Sequence, residues 1–144
     1  MKNITLLIIK PNAVKKHVIG DIIQKLENDK FEVLAIKSFV MTEAIADKFY
    51  EMHKGKSFFP KLVDFMTNGL SIAIILKKSN AVLDLRNFIG STDPQSASKG
   101  SIRALYGDDI TRNAVHASDS DENVLREIPI LFSDEELGNN KIKL

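Results

Sequence analysis

The residues of this chain best suited to chemistry stand in one run, Arg112-Asn113-Ala114-Val115-His116-Ala117-Ser118-Asp119-Ser120-Asp121. One histidine follows an apolar pair and precedes small and acidic residues, the pattern of a strand end feeding a helix start. A side chain in that setting is held rigidly yet stays accessible. The N–H groups of the helix N-terminus favour an anion nearby, and a neutral imidazole is a good nucleophile near neutral pH. Glu127 follows within what reads as a helix, two turns in, where it can face either solvent or the sheet. Taken alone, a histidine so placed is more often a hydrogen-bonded structural residue than a catalyst, and the rest of the chain must decide.

The other candidates are scattered. His17, beside Lys15 and Lys16 ahead of a helix, reads as solvated. His53 lies near Lys54 and Lys56 at a helix end, where a cation suits the dipole. Asp119, Asp121 and Glu122 complement the positive end of the last helix. Neither Gly-x-x-x-x-Gly-Lys-[Ser/Thr] nor Gly-x-Gly-x-x-Gly occurs, so any phosphate has to be held by side chains. Lys10, Arg86, Lys99, Arg103 and Arg112 are the cations available, and guanidinium forks grip phosphate bidentately. No His, Asp and Glu cluster has metal-ligand spacing, so a metal would arrive on the substrate's phosphates.

These side chains need elements to aim them. Residues 4–9 form an apolar run ended by Lys10-Pro11, a central strand and then a break. Ile19, Ile22, Ile23 and Leu26 recur at helical spacing. Residues 31–41 alternate as a second strand. Helices are expected over 42–52 and 59–67, the latter stopped by Asn68-Gly69, and a third strand over 70–76. Asn80 is expected to cap a helix that Gly90 ends. Residues 90–113 show no period, and a loop of that length in a compact domain is usually functional. A short strand over 114–116 and a Ser120-capped helix broken at Pro129 follow, then an irregular tail over 132–144. The order predicts an α/β sandwich of ferredoxin-like βαββαβ type, an antiparallel four-stranded sheet covered by helices, in one domain spanning residues 1–144.

Composition bounds the function. The chain has 144 residues, 44% hydrophobic and 27% charged, with net charge +1. That is enough to bury a core, and it supplies no strong field for nucleic acid or an anionic membrane. With no cysteine there is neither a disulfide nor a thiolate metal site, and the cytoplasm is the natural compartment. No run reaches the roughly 20 apolar residues of a membrane span. The run over 4–9 lacks the small-residue cleavage site of a signal peptide.

Several segments occur together in one family: Lys10-Pro11-Asn12-Ala13-Val14, Phe49-Tyr50, Phe58-Phe59, Gly90-Ser91-Thr92-Asp93-Pro94, Ile102-Arg103, and Asn113 through Ser120. Over residues 3–137 the chain closely resembles the bacterial type of nucleoside diphosphate kinase. The resemblance implies transfer of the γ-phosphoryl of a nucleoside triphosphate, ATP as the usual donor, to a nucleoside diphosphate. The transfer would be ping-pong, through a phosphohistidine on His116. It implies Lys10 at the ribose hydroxyls and the transferred phosphoryl, Asn113 at the ribose, and Tyr50 beside that phosphoryl. Arg86, Thr92 and Arg103 would hold the phosphates. Phe58 would stack on the base, with Leu62 and Ile110 lining the same slot, while Ser118 and Glu127 orient the imidazole. Magnesium would ride on the nucleotide. The resemblance further implies a homo-oligomer, a hexamer in preference to a tetramer, with no membrane and no obligatory nucleic-acid partner.

This sequence departs from that family's pattern at Ala117, where glycine is usual, at Leu105, where aspartate is common, and at Ser57 and Leu70, which replace frequent prolines. Ala117 would shift the backbone beside His116 if that position needs φ > 0. Two rival readings share the fold. One is a catalytically impaired regulatory homologue. The other is a nucleotide-binding or RNA-binding module, which would want aromatic central strands and a basic face that this chain lacks.

Overall fold

The computed structural model describes residues 3–144. The chain runs β1 (Ile4–Ile9), α1 (Pro11–Lys15), α2 (Ile19–Asn28), β2 (Glu32–Val40), α3 (Glu43–Phe49), a 3-10 turn (Glu51–His53), α4 (Phe59–Thr67), β3 (Leu70–Lys77), α5 (Ala81–Ile89), α6 (Ile102–Tyr106), β4 (Val115–Ala117), α7 (Asp121–Leu131) and α8 (Asp134–Asn139). The four strands form one sheet in the order β2-β3-β1-β4, and every pairing is antiparallel. This is the ferredoxin-like α/β sandwich expected from the order of elements.

All six residues of β1 are buried, which explains a continuous apolar run where a half-solvated strand would alternate. Both faces of the sheet are covered. Ile4, Leu6 and Ile8 pack with Phe49, Leu62, Met66, Val124 and Ile128 from α3, α4 and α7. Leu7 and Ile9 pack with Ile22, Leu26, Leu85 and Ile89 from α2 and α5. The twofold period of a strand therefore sorts β4 as well. Val115 and Ala117 join the α2–α5 layer, and His116 between them projects to the other face, where its ring meets Phe49.

Four local expectations are corrected. Pro11 does not merely break the chain after β1; it starts α1, where its missing N–H costs nothing. Asn80 occupies the N-cap of α5 but sits at φ 57° and makes no side-chain cap bond. Helix α7 continues through Pro129 to Leu131. Pro129 and the residue four back, Leu125, are both exposed, so the Leu125 carbonyl that loses its partner lies on the solvent face. The tail is not irregular: α8 forms behind a reciprocal capping box of Ser133 and Glu136 and buries Leu137.

Candidate functional site

A cleft of about 700 Å³ opens where β4, the start of α7, the α3–α4 corner and the 90–113 loop meet. Eleven of the twelve site residues expected from the sequence line it: Lys10, Tyr50, Phe58, Leu62, Arg86, Thr92, Arg103, Ile110, Asn113, His116 and Glu127. Ser118 stands directly behind, donating to Glu127 Oε1 at 2.6 Å. Lys99 and Arg112, also considered as phosphate ligands, do not line this cleft. Arg112 instead lies over the Phe65 ring.

The centre is built from one strand and one helix. His116 Nε2 lies 2.9 Å from Glu127 Oε1. Ser120 caps α7 by accepting from Asn123 N–H at 3.0 Å, which fixes the helix phase so that Glu127 faces the sheet, 4% exposed. Burial alone would raise the Glu127 carboxyl, but the bonds from His116 and Ser118 and the nearby Arg126 charge hold it below its ordinary value. An ionised carboxylate accepts, so Nε2 carries the proton and Nδ1 keeps its lone pair. Among the described residues Nδ1 has no hydrogen-bond partner.

Around that ring the polar groups are unusually dry. Lys10, 6% exposed, donates to Asn113 Oδ1 at 2.9 Å and to the Thr111 carbonyl at 3.3 Å. Burial, helped by repulsion from Arg103 and opposed by Asp109, lowers its pKa to about 7. Arg103 donates to the carbonyls of Gly90 at 3.1 Å and Val115 at 2.9 Å. Burial, then Arg86, lowers its pKa to about 10, so it stays charged. Arg86 donates to the Ala117 carbonyl at 3.2 Å. The Tyr50 hydroxyl is buried without a partner. Burial and the Glu127 charge raise its pKa, so it remains a proton donor. Two desolvated basic groups, Lys10 and Arg103, with the half-buried Arg86 and an unused hydroxyl form a site that is electrostatically incomplete until a polyanion enters.

The loop that supplies Thr92, Arg103, Ile110 and Asn113 is held from behind. Helix α6, too short to show a period, buries Ile102 and Arg103. Gly90 ends α5 at φ 92°, and a Cβ there would lie 2.5 Å from Ser101 Oγ, so this turn needs glycine. Tyr106 hydroxyl donates to Asp21 on α2. Lys16 reaches both the Tyr106 carbonyl at 2.8 Å and Asp108 at 2.7 Å.

Three further residues escaped the sequence reading. Ala114 adopts φ 73°, while Val115 N–H bonds the Asn113 carbonyl at 2.9 Å and Lys10 N–H bonds the Ala114 carbonyl at 2.8 Å. This γ-turn, a strained conformation for a residue with a Cβ, sets Asn113 beside Lys10. Nothing in an alanine announces it. Arg126 lines the cleft and ties α7 to the end of α3 through the Lys48 and Phe49 carbonyls, both at 3.1 Å. His53, read from the sequence as a helix-end cation, instead lines the cleft. Burial, Lys56 and His116 lower its pKa, so its neutral form is favoured. The signal missed was its position between Tyr50 and Phe58. Ala117, by contrast, answers the question its identity raised. It lies within β4 opposite Leu7 and is not among the positive-φ residues, so the site does not demand glycine there.

Fold and cleft together define the class: an antiparallel α/β sandwich that presents a braced imidazole to a dry polycationic pocket with an apolar mouth. A family model described as nucleoside diphosphate kinase matches residues 3–137. The nucleoside diphosphate kinase of Wolinella succinogenes is 47% identical over 134 residues, covering 93% of this chain and 98% of that protein. That of Methanocaldococcus jannaschii is 41% identical over 137 residues, covering 95% and 98%. Among solved structures, the Aquifex aeolicus nucleoside diphosphate kinase superposes with a TM-score of 0.89 at 39% identity, covering 93% of this chain and 97% of that one. A halophilic nucleoside diphosphate kinase from Halobacterium salinarum, solved in complex with CDP, gives 0.89 at 34% identity, covering 94% and 91%. The chain belongs to the nucleoside diphosphate kinase family and is an enzyme of that kind, a phosphotransferase.

Proposed function

We propose that the reaction runs in two half-steps through His116 in the one cleft. The observation that carries this reading is the Nε2–Glu127 bond, which leaves Nδ1 as the free nucleophile among buried cations. In the first half-step the Nδ1 lone pair attacks the γ-phosphorus of a nucleoside triphosphate. The N–P bond forms as the bond to the β-γ bridging oxygen breaks, and the nucleoside diphosphate leaves. In the second, a β-phosphate oxygen of another nucleoside diphosphate attacks the phosphohistidine, and the histidine is restored. Donor and acceptor use the same site in turn, so it never has to bind both.

Each neighbour has a part in that scheme. Glu127, oriented by Ser118, holds the imidazole in the attacking tautomer and stabilises the positive charge the ring acquires. Arg86, Arg103 and Thr92 grip the phosphates. Lys10 and Tyr50 offer donors to the phosphoryl in flight, which needs in-line positioning and charge neutralisation more than covalent help. Asn113, held by Lys10 and by its own bond to the Thr92 carbonyl at 3.0 Å, takes the ribose. Phe58 stacks on the base, with Leu62 and Ile110 closing the slot.

The donor set bears on magnesium. Among the described residues no three His, Asp or Glu side chains are placed to hold a metal ion, and the inner wall is cationic. Magnesium therefore fits as a companion of the substrate's phosphates, and Asp119 is the carboxylate on the wall shared with Arg86 and Thr92. The whole chain serves as one catalytic domain, assembled as a homo-oligomer, a hexamer in preference to a tetramer, and working in the cytoplasm on nucleoside di- and triphosphates. No helix among the described residues is long and apolar enough to cross a membrane.

Incubation with γ-labelled ATP tests the scheme. The parent should become labelled on histidine, lose the label to added nucleoside diphosphate, and give parallel double-reciprocal lines. His116→Ala should do none of these while keeping its fold. Intersecting lines, or label on the mutant, would remove the covalent role.

A further inference from the structure

Five rings run in contact from the nucleophile to the mouth of the cleft. His116 packs edge-on against Phe49, with centroids 5.1 Å apart at 70°. Phe49 packs edge-on against Tyr50 at 5.0 Å and 75°. Tyr50 stacks on His53 at 6.3 Å and 28°, and His53 lies tilted against Phe58 at 5.2 Å and 60°. The backbone follows the same path, because the 3-10 turn carrying His53 joins α3, with Phe49, to the start of α4, with Phe58. The reaction scheme gives no part to Phe49 or His53; Phe49 is buried in the core, and His53 lines the cleft.

Phe58 needs such a link. It stands at the N-cap of α4 without a side-chain cap bond and is 44% exposed, so the core does not fix its rotamer. A half-free ring that must stop moving to stack on a base loses affinity to that ordering. His53 touches Phe58 from one side, and Lys56 Nζ lies 5.9 Å from the ring centre. His53 Nδ1 is itself buried and has no hydrogen-bond partner, so packing, rather than polar bonding, accounts for its orientation. The charged and titratable groups that face it are Lys56, His116, Asp119 and Arg126. Burial and the charges of Lys56 and Arg126 outweigh Asp119 and disfavour a positive charge on the ring, so what it presents is a flat, uncharged surface.

We propose that His53 is a positioning residue that fixes Phe58 in register with Tyr50 and His116, so that the base platform stands at a set distance from the reacting phosphoryl. This rests on Phe58 being the base platform. It makes nucleotide affinity depend on a side chain that acts through Phe58.

The test compares acceptors with and without a base, ADP against ribose 5-diphosphate, in the parent, His53→Ala, His53→Phe and Phe58→Ala. His53→Ala should raise KM for ADP about two- to tenfold and by more than it lowers kcat. The preference for ADP over ribose 5-diphosphate should shrink by the same factor. His53→Phe, which keeps the ring and drops the nitrogens, should recover most of that loss. Equal effects on both acceptors, a loss confined to kcat, or no rescue by phenylalanine would overturn the positioning role. If Phe58→Ala itself leaves the preference for ADP intact, the base platform is elsewhere and the underlying reading fails first.

Discussion

Lys10 is the residue whose chemistry is most changed by its surroundings. Its pKa of about 7, set first by burial and then by Arg103, means that in the free enzyme it is charged below pH 7 and neutral above. The unfolded chain would hold that proton up to an ordinary lysine value near 10.4. Between the two values the unfolded state binds more protons, so this group's contribution to stability rises with pH from 7 to about 10 and is at its lowest below 7. Phosphates favour the charged form. Nucleotide binding at pH 8 should therefore draw in about one proton per site, visible by calorimetry as an enthalpy that varies with the ionisation heat of the buffer. Lys10→Met should abolish that variation. An enthalpy independent of buffer in the parent would mean that Lys10 is already charged. A second prediction belongs to Ala117. Its methyl is buried in the α2–α5 layer and its φ is not positive, so Ala117→Gly should leave turnover unchanged and lower stability by about 1 kcal/mol, measured by urea unfolding. A gain in turnover would show that the alanine constrains the neighbouring nucleophile.

At the scale of elements, the tail and the long loop show where sequence pattern stops being informative. The helix over 59–67 was legible in full because nine residues carry a clear apolar face and end at Asn68-Gly69. The five-residue α6 and six-residue α8 were not, because neither spans two turns and each rests on a cap. Ser101 accepts from Ala104 N–H. Ser133 and Glu136 exchange bonds at 3.1 and 3.0 Å. The Ser-x-x-Glu spacing was present in the sequence and was a readable signal. The γ-turn at Ala114 was not readable, since its conformation is imposed by Lys10 and the strands on either side. His116, Glu127 and the basic residues were visible as candidates in type and spacing, their expected roles came only with the family resemblance, and the burial that shifts Lys10 and Arg103 belongs to tertiary packing. If α8 depends on its cap, Ser133→Ala should cost about 1 kcal/mol, with faster amide exchange across Asp134–Asn139. Phosphoryl transfer should be unaffected, because none of these residues lines the cleft. Full stability in that mutant would mean that Leu137 and Ile142, each 8% exposed, hold the tail by burial alone.

Across the whole molecule, polarity is graded along the cleft. The inner end holds Lys10, Arg103, Asn113 and the His116–Glu127 pair, all tied to carbonyls or to each other. The mouth offers Phe58, Leu62 and Ile110, of which Phe58 and Ile110 are 44% and 61% exposed. A site discriminates bases strongly only when buried polar groups aim at their edges, since a mismatch then leaves those groups unpaired. The rings and aliphatic chains at this mouth have no such groups, and every base has a π-face to stack. On the proposed scheme the molecule would read phosphate and sugar and tolerate any base. A panel of diphosphate acceptors with one donor should give kcat/KM values for purine and pyrimidine, ribo and deoxy, within a few tens-fold of each other. Phe58→Ala should weaken all of them by a similar factor, on the order of 1–3 kcal/mol. The polar candidates near the mouth are Lys61 and His53. A hundredfold preference for one base would assign one of them to an edge, and Lys61→Met alongside His53→Phe would show which.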